Sequence, residues 1–115
     1  MEAARAQLRY YRSSPRKVRL VADLIRGQKV EPALTSLQLC QKYAAHDVAK
    51  LVKSALANLE ASQPGVDVDR VVVHRITVDD GPRLKRGRPA SKWVRMHRIL
   101  KRMCHITVEL AVQDS

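Results

Sequence analysis

One stretch decides how the chain is organised: GPRLKRGRPASKWVRMHRILKR, from Gly81 to Arg102. Nine of its 22 residues are Lys or Arg, and none is acidic. The whole chain has 22 basic and 11 acidic residues, so the excess positive charge is concentrated here. Such a stretch repels itself and has too few apolar residues for a core, so we expect it to be poorly ordered until it meets a polyanion. We call residues 81–102 the arm.

Two segments with strand character flank the arm. Arg70 to Asp79, RVVVHRITVD, is rich in β-branched residues, and His105 to Val112, HITVELAV, alternates apolar and polar positions. The simplest connection between them is an antiparallel pair, which makes the arm a long hairpin. Two extended halves of about 13 residues would reach about 40 Å, well beyond a compact body with a radius of gyration of about 13 Å.

A first helix is predicted near the N-terminus, after a weak strand signal at Ala6 to Arg12. Ser13 or Ser14 offers an N-cap, Pro15 fits the first turn, and Gly27 ends the helix. Its apolar face is predicted to consist of Val18, Val21, Ala22 and Ile25. Its basic residues are left to the other faces: Arg16, Lys17, Arg19 and Arg26.

Two further helices are predicted, from Glu31 to Cys40 and from Ala44 to Ser62. The apolar face of the second helix is predicted to hold Leu34, Leu37 and either Gln38 or Cys40. That of the third is predicted to hold Val48, Leu51, Val52, Ala55, Leu56 and Leu59, before Gln63-Pro64-Gly65 stops it. The pattern predicts an α+β fold: three helices packed on a small three-stranded antiparallel sheet with a long protruding basic β-hairpin. We expect one domain, residues 1–115, with the hairpin spanning residues 80–104.

The net charge of +11 and the pI near 10.4 point to nucleic acid or an anionic membrane as the main partner. Residues 1–29 carry a net +6, residues 30–80 a net −2 and residues 81–115 a net +7. No run of 18 apolar residues and no apolar signal-peptide core is present, so neither a membrane span nor secretion is expected. Cys40 and Cys104 have no CxxC spacing, and we expect two thiols in a cytosolic or organelle protein.

A catalytic site is the first alternative for a cationic surface. Cys104 and His105 are neighbours, but successive strand side chains point to opposite faces, so they are not expected to form a nucleophile and base pair. Asp79 and Asp80 could act as paired carboxylates, although a place at the strand end, before the Gly81-Pro82 turn, is favoured.

The sequence also lacks the spacing of a phosphate-binding P-loop and that of a zinc site. Gly81 and Gly87 are separated by five residues rather than four, and Arg88 follows where a P-loop has Lys. The histidines have no paired spacing with cysteine: they are His46, His74, His97 and His105. No metal and no cofactor are expected.

The arm itself has a simpler explanation as a solvated face, but nine cations without one acidic residue exceed what solubility needs. Arg outnumbers Lys six to three, which favours phosphate forks and stacking on bases. Trp93 either stacks on an unpaired base or packs against the aliphatic stems of neighbouring cations, and the sequence does not choose between the two.

Several motifs resemble one known family. They are SSPRKVRLVADLIRG at Ser13 to Gly27, SALANLE at Ser54 to Glu60, VDDGP at Val78 to Pro82, LKR at Leu84 to Arg86, and RILKRMCHITV at Arg98 to Val108. In this order they resemble the large ribosomal subunit protein twenty-two family of bacterial or organelle type. The resemblance implies a structural constituent of the large subunit that binds its RNA and supports its assembly. It also implies neighbouring ribosomal proteins as partners, and a hairpin that lines the exit tunnel and meets the nascent peptide.

The positive charge and the resemblance together predict the site residues. The predicted RNA-binding residues are Arg12, Ser14, Arg16, Lys17, Arg19, Arg83, Lys85, Arg86, Lys92, Arg95, Arg98, Lys101, Arg102 and His105. The predicted exit-tunnel tip is Gly87, Arg88, Pro89 and Ala90. The chain departs from the family pattern after Pro89, where ASKWVRMHR is bulkier and one residue longer than the usual Gly-containing stretch. Met103-Cys104 also replaces a small hydroxylic pair.

Two other functions are kept beside this one. A free nucleic-acid-binding or architectural module outside the ribosome would bind generic duplex and ribosomal RNA with comparable affinity and strong salt dependence. An enzyme acting on nucleic acid is the third, and it would need Asp79 or Asp80 for turnover.

Overall fold

The computed structural model describes residues 3–82, 84–89 and 96–113, the two arm strands by their backbone. In chain order the elements are β1 (Ala3–Tyr11), α1 (Pro15–Ile25), α2 (Val30–Leu39), α3 (Ala45–Ser62), a 3₁₀ turn (Val68–Arg70), β2 (Val71–Asp80), β3 (Leu84–Pro89), β4 (Met96–Lys101) and β5 (Cys104–Val112). Within these ranges three helices accompany a three-stranded antiparallel sheet and a two-stranded hairpin. The predicted α+β class is confirmed.

The central strand of the main sheet is β5, in the order β1-β5-β2. Val108 faces Ala6 on β1 and Ile76 on β2, and both pairings are antiparallel. The predicted pairing of the two strands that flank the arm is therefore confirmed. The first strand begins at Ala3 rather than Ala6, because its pairing with β5 continues as far as Ala111.

One face of the sheet carries the core. The inward residues of β5 are fully buried: Cys104, Ile106, Val108 and Leu110. The predicted apolar stripe of α1 is buried as well, and Gly27, at φ 79°, follows the end of the helix as predicted. Most of the α3 stripe is buried, although Leu56 is only half-buried.

The apolar face of α2 differs from the prediction. Val30, Ala33 and Leu37 are its buried residues, while Leu34 is half-buried and Gln38 is exposed. The helix begins at Val30, one residue before the predicted start, and the small Ala33 side chain turns toward the core. The sequence prediction counted only large residues as apolar and left out Ala33. The predicted apolar face of α2 was therefore turned away from the face that is buried.

The outer edge of β2 is covered along its length. Near its start, the Gly27 N–H donates to Val73 O (3.1 Å) and the Val73 N–H donates to Gln28 O (2.8 Å). Farther along, Arg26 donates to Ile76 O at 3.0 Å and Arg19 to Val78 O at 2.9 Å. Because unpaired strand edges invite pairing with other chains, these contacts protect the sheet from edge association.

The hairpin leaves the sheet between β2 and β5. Asp80 pairs with Cys104, and the Gly81 N–H donates to Met103 O at 2.9 Å. Beyond this junction β3 and β4 form a separate two-stranded sheet, from the pair Leu84 and Lys101 to the pair Pro89 and Met96. The radius of gyration is 17.7 Å and the longest dimension is 66 Å. A compact chain of this length would have a radius of gyration of about 13 Å, so the protein is elongated, as the sequence predicted.

Tyr11 links the first strand to the third helix. Its hydroxyl donates to Asp47 Oδ2 at 2.6 Å, and Asp47 lies in the first turn of α3. Burial of the ring and the neighbouring carboxylate both raise the pKa of Tyr11 above its usual value of 10.0. The neutral phenol is therefore the form that stabilises the fold.

Replacing Tyr11 with Phe is expected to lower the free energy of unfolding by about 1.5 kcal/mol at pH 8, because the bond to a charged acceptor is lost. A tyrosine whose pKa is raised by folding stabilises the protein below its unfolded pKa and loses that contribution as pH rises above about 10. The difference between wild type and Tyr11→Phe should therefore shrink at pH 11 in urea unfolding followed by circular dichroism. Tyr43→Phe, at a ring that is 86 % exposed, should match wild type at both pH values. A difference that grows with pH would contradict the assignment.

Candidate nucleic-acid interface

The sheet topology brings the two basic ends of the sequence together. Residues 1–29 carry a net +6 and residues 81–115 a net +7, although they lie far apart in the chain. Because β1 pairs with β5, Tyr11 faces Cys104, and the basic residues on either side of this pair meet at one end of the sheet. This end is also where the arm begins. The fold therefore places the two basic ends of the sequence next to each other.

The first helix contributes an exposed cationic face. Burial of its apolar stripe turns Arg16 and Lys17 to the surface, and Arg12 is exposed just before the helix. Ser14, the N-cap residue, is half-buried, and its side chain makes no capping bond to the helix. These predicted RNA-binding residues are thus grouped around the start of α1.

Arg19 differs from these neighbours because it is engaged within the protein. Its guanidinium donates to Val78 O twice, through Nε at 3.3 Å and through one terminal nitrogen at 2.9 Å, and lies 3.9 Å from Asp80. Its side chain is still 52 % exposed, so part of the charge faces solvent. RNA contact by Arg19 stays a prediction, whereas its structural role at the β2 edge is a finding.

The base of the arm contains a β-bulge that places Tyr10 on the surface. Leu8 pairs with Ile106 and Tyr11 with Cys104, so Arg9 and Tyr10 together face the single residue His105. The extra residue lets both Leu8 and Tyr11 turn toward the core, while Tyr10 points outward and is 59 % exposed. Tyr10 has φ 56°, which is uncommon for a residue with a side chain.

His105 is held by this bulge. The Tyr10 N–H donates to His105 Nδ1 at 3.0 Å, and the two rings meet edge to face with centroids 4.9 Å apart. A neutral His105 that accepts at Nδ1 carries its proton on Nε2, where it remains a donor. Cys104 points into the core and His105 to the open face, so the predicted placement of the two side chains on opposite faces is confirmed.

The arm strands place four predicted RNA-binding residues in register. Lys85 and Arg86 lie on β3 opposite Leu100 and Ile99, while Arg98 and Lys101 lie on β4. Arg102 is exposed at the base of the arm, just before β5. Three other predicted contacts, Arg83, Lys92 and Arg95, lie outside the described residues, and so does Trp93.

The predicted tip lies mostly in a strand. Gly87, Arg88 and Pro89 belong to β3, opposite Arg98, His97 and Met96, so the connection between the strands follows Pro89. Ala90, the fourth predicted tip residue, lies outside the described residues.

The alternative sites gain no support from the geometry of the described residues. Asp79 and Asp80 are exposed at the end of β2, as predicted, and Asp80 lies near Arg19. Among residues 3–82, 84–89 and 96–113, no group of three His, Cys, Asp or Glu side chains could hold a metal ion. Cys40 and Cys104 are free thiols. Within the same ranges no helix has both the length and the apolarity to span a membrane.

The open face of the main sheet carries a shallow depression of about 250 Å³. Its lining mixes both charge signs: Arg5, Gln7, Arg75, Thr77, Asp79, Thr107 and Glu109. The Gln7 amide donates to the Thr107 hydroxyl at 3.3 Å. Because carboxylates accompany the arginines, this surface is less suited to a polyanion than the α1 face or the arm.

Sequence reasoning missed Tyr10 and two leucines on α1. Leu20 and Leu24 are 53 % and 45 % exposed, one turn apart on the helix surface. The only signal for Tyr10 was an aromatic residue between Arg9 and Arg12 in a segment with weak strand character.

Comparisons with known proteins agree with this architecture. Residues 6–111 match the family described as Ribosomal protein L22p/L17e. The large ribosomal subunit protein uL22 of Magnetococcus marinus is 48 % identical over 113 residues, which cover 98 % of each chain. The family match spans nearly all of the described elements, including the basic hairpin and the α1 motif. The chain therefore belongs to the ribosomal protein L22p/L17e family.

Proposed function

We propose that this chain is a structural, RNA-binding constituent of the large ribosomal subunit. The observation that carries the proposal is the acid-free arm, whose paired strands β3 and β4 extend from a body where the two basic ends of the sequence meet. Membership of a family of ribosomal proteins, with a relative named as a large-subunit protein, supports the same function. Such a protein works by binding and shaping RNA rather than by catalysis.

The physical role of the arm is charge neutralisation inside folded RNA. A slender two-stranded hairpin can enter between RNA helices, where its arginines and lysines replace the counterions of closely spaced phosphates. This supports assembly of the subunit, because the phosphates no longer repel each other when the helices pack. Contacts with RNA phosphates thus replace the repulsion between the like charges of the arm.

The finer assignments of this proposal concern location. The hairpin, residues 80–104, extends from a single domain of residues 1–115. Its tip, at Gly87, Arg88, Pro89 and Ala90, lines the peptide exit tunnel. Its partners are the large-subunit RNA, neighbouring ribosomal proteins and the nascent peptide. The protein resides on the ribosome of a bacterial cytoplasm or of an organelle.

Sedimentation of a tagged chain from a bacterial lysate tests the function. After a high-salt wash that removes loosely bound basic proteins, the chain should co-migrate with the large subunit. Recovery at the top of the gradient would contradict the proposal and favour a free nucleic-acid-binding module.

A variant that lacks residues 84–101 separates the arm from the body. The deletion joins Arg83 to Arg102 and preserves the Gly81 and Met103 contact that closes β2 on β5. Because β3 and β4 form a sheet of their own, the body should keep its cooperative unfolding but lose retention on the subunit in high salt. Unfolding of the body on deletion would show that the arm is part of the core.

A further inference from the structure

The conformation of Tyr10 has an energetic cost that the fold alone does not explain. A left-handed residue other than glycine costs about 1–2 kcal/mol, and φ at Tyr10 is 56°. Glycine would relieve this strain in the same bulge. The tyrosine ring gains little burial in return, since the residue remains 59 % exposed. Strained residues that point a side chain outward are common at binding sites.

The ring of Tyr10 packs against a neighbouring ring that its own backbone positions. Its own N–H donates to His105 Nδ1 at 3.0 Å, and the His105 ring meets it at an angle of 89°. His105 also lies close to Gly81, where an added Cβ would be 3.4 Å from the imidazole Cε1. The edge-to-face contact leaves the flat face of the Tyr10 ring available for another flat group to stack on.

The surroundings of Tyr10 favour an anionic partner. Arg9 and Arg12 are exposed on the same segment, and Arg102 is exposed three residues before His105. Asp79 is paired with His105 on the opposite side, along β2, so His105 lies between this carboxylate and Tyr10. Because Nδ1 of His105 accepts from the Tyr10 N–H, its Nε2 is the ring nitrogen left to donate beside the Tyr10 ring.

We propose that Tyr10 is a stacking platform for an unpaired base of ribosomal RNA, with the neighbouring arginines on the flanking phosphates. Sequence-tolerant stacking on an aromatic ring beside cations is how proteins bind single-stranded nucleotides in loops and bulges. The inference rests on the proposed function and adds one nucleotide site at the base of the arm. Tyr43 is more exposed, at 86 %, but has no ring contact to orient it among the described residues.

The test measures binding of the full chain to an in vitro transcript of bacterial large-subunit ribosomal RNA. Tyr10→Gly removes the ring and relieves the strained φ, so folding should not suffer. This variant should bind about 5- to 150-fold more weakly, the loss expected for one base stack. Tyr10→Phe keeps the ring and should bind within about twofold of wild type. Tyr43→Gly removes an exposed ring elsewhere and should leave affinity unchanged.

A second readout identifies the contact directly. With 4-thiouridine in the transcript, irradiation should crosslink the RNA to the peptide that contains Tyr10, and Tyr10→Gly should abolish that crosslink. Unchanged affinity of Tyr10→Gly, with normal wild-type binding, would overturn the stacking site and leave the proposed function intact. Equal losses for Tyr10→Phe and Tyr10→Gly would also overturn it, because the hydroxyl would then be the contact.

Two further results of these experiments would contradict the RNA-stacking site or the proposed function. Normal binding of Tyr10→Gly to the transcript, combined with its loss from assembled subunits, would assign Tyr10 to a neighbouring protein and overturn the RNA site. Failure of wild type to prefer ribosomal RNA over a generic duplex would instead contradict the proposed function itself.

Discussion

Replacing Ile106 with Ala is expected to lower the free energy of unfolding by about 2–5 kcal/mol, a large part of the total for a domain of this size. Ile106 is fully buried on the central strand and faces Leu8 on β1 and Val78 on β2. Truncation removes apolar contacts with both neighbouring strands and with the helices above them.

Urea unfolding followed by far-ultraviolet circular dichroism measures this loss. The matched control is Thr107→Ala on the same strand, where the side chain faces the open surface and is half-exposed. The control should change the unfolding free energy by less than about 1 kcal/mol. Similar losses for the two variants would contradict the assignment of the core face of β5.

Neutralising the cations around the start of α1 is expected to weaken RNA binding strongly. In the triple variant Arg12→Gln, Arg16→Gln, Lys17→Gln, three exposed charges are removed without touching a buried side chain. Each lost phosphate contact lowers the slope of log K against log salt by about 0.9. The slope should therefore fall by about 3, which corresponds to roughly 10³-fold weaker binding at 0.1 M salt.

Filter binding to the ribosomal RNA transcript across a salt series provides the measurement. The matched control is Lys42→Gln, Lys50→Gln, Lys53→Gln, which removes the same charge from exposed positions in the near-neutral middle of the sequence. Its slope should remain close to that of wild type. If both triple variants lose the same slope, binding depends on total charge, and the α1 face has no special role.

Much of the fold could be predicted because local sequence patterns and tertiary packing agree. A strand is indicated by the β-branched residues of β2 and by the alternation of β5, and a helix by the apolar stripe of α1. All three elements are present in the structure. In β1 the pattern is misleading, because Leu8 and Tyr11 both face the core although three positions separate them. Strict alternation assigns them to opposite faces, and only the bulge at Tyr10 reconciles them.

The candidate site was harder to predict because a charge pattern does not reveal which cations are already engaged. Arg16 and Arg19 look equivalent in the sequence, yet Arg16 is exposed and Arg19 bonds to the carbonyl of Val78. The difference depends on where β2 lies relative to α1, about 60 residues away in the chain. The exit-tunnel tip stays a prediction, because the sequence resemblance names its residues but carries no strand register.

The position of β5 between β1 and β2 has a consequence for the synthesis of this protein. The strands β1 and β2 do not pair with each other, since β5 lies between them. The hydrogen-bond partner of Gln7 on β5 is Thr107, which is synthesised 100 residues later. Both earlier strands are therefore made before their template exists, which exposes apolar edges and slows folding. Transiently exposed apolar surface and unpaired strand edges favour aggregation, so the period of highest risk for this chain is the time between synthesis of β1 and synthesis of β5.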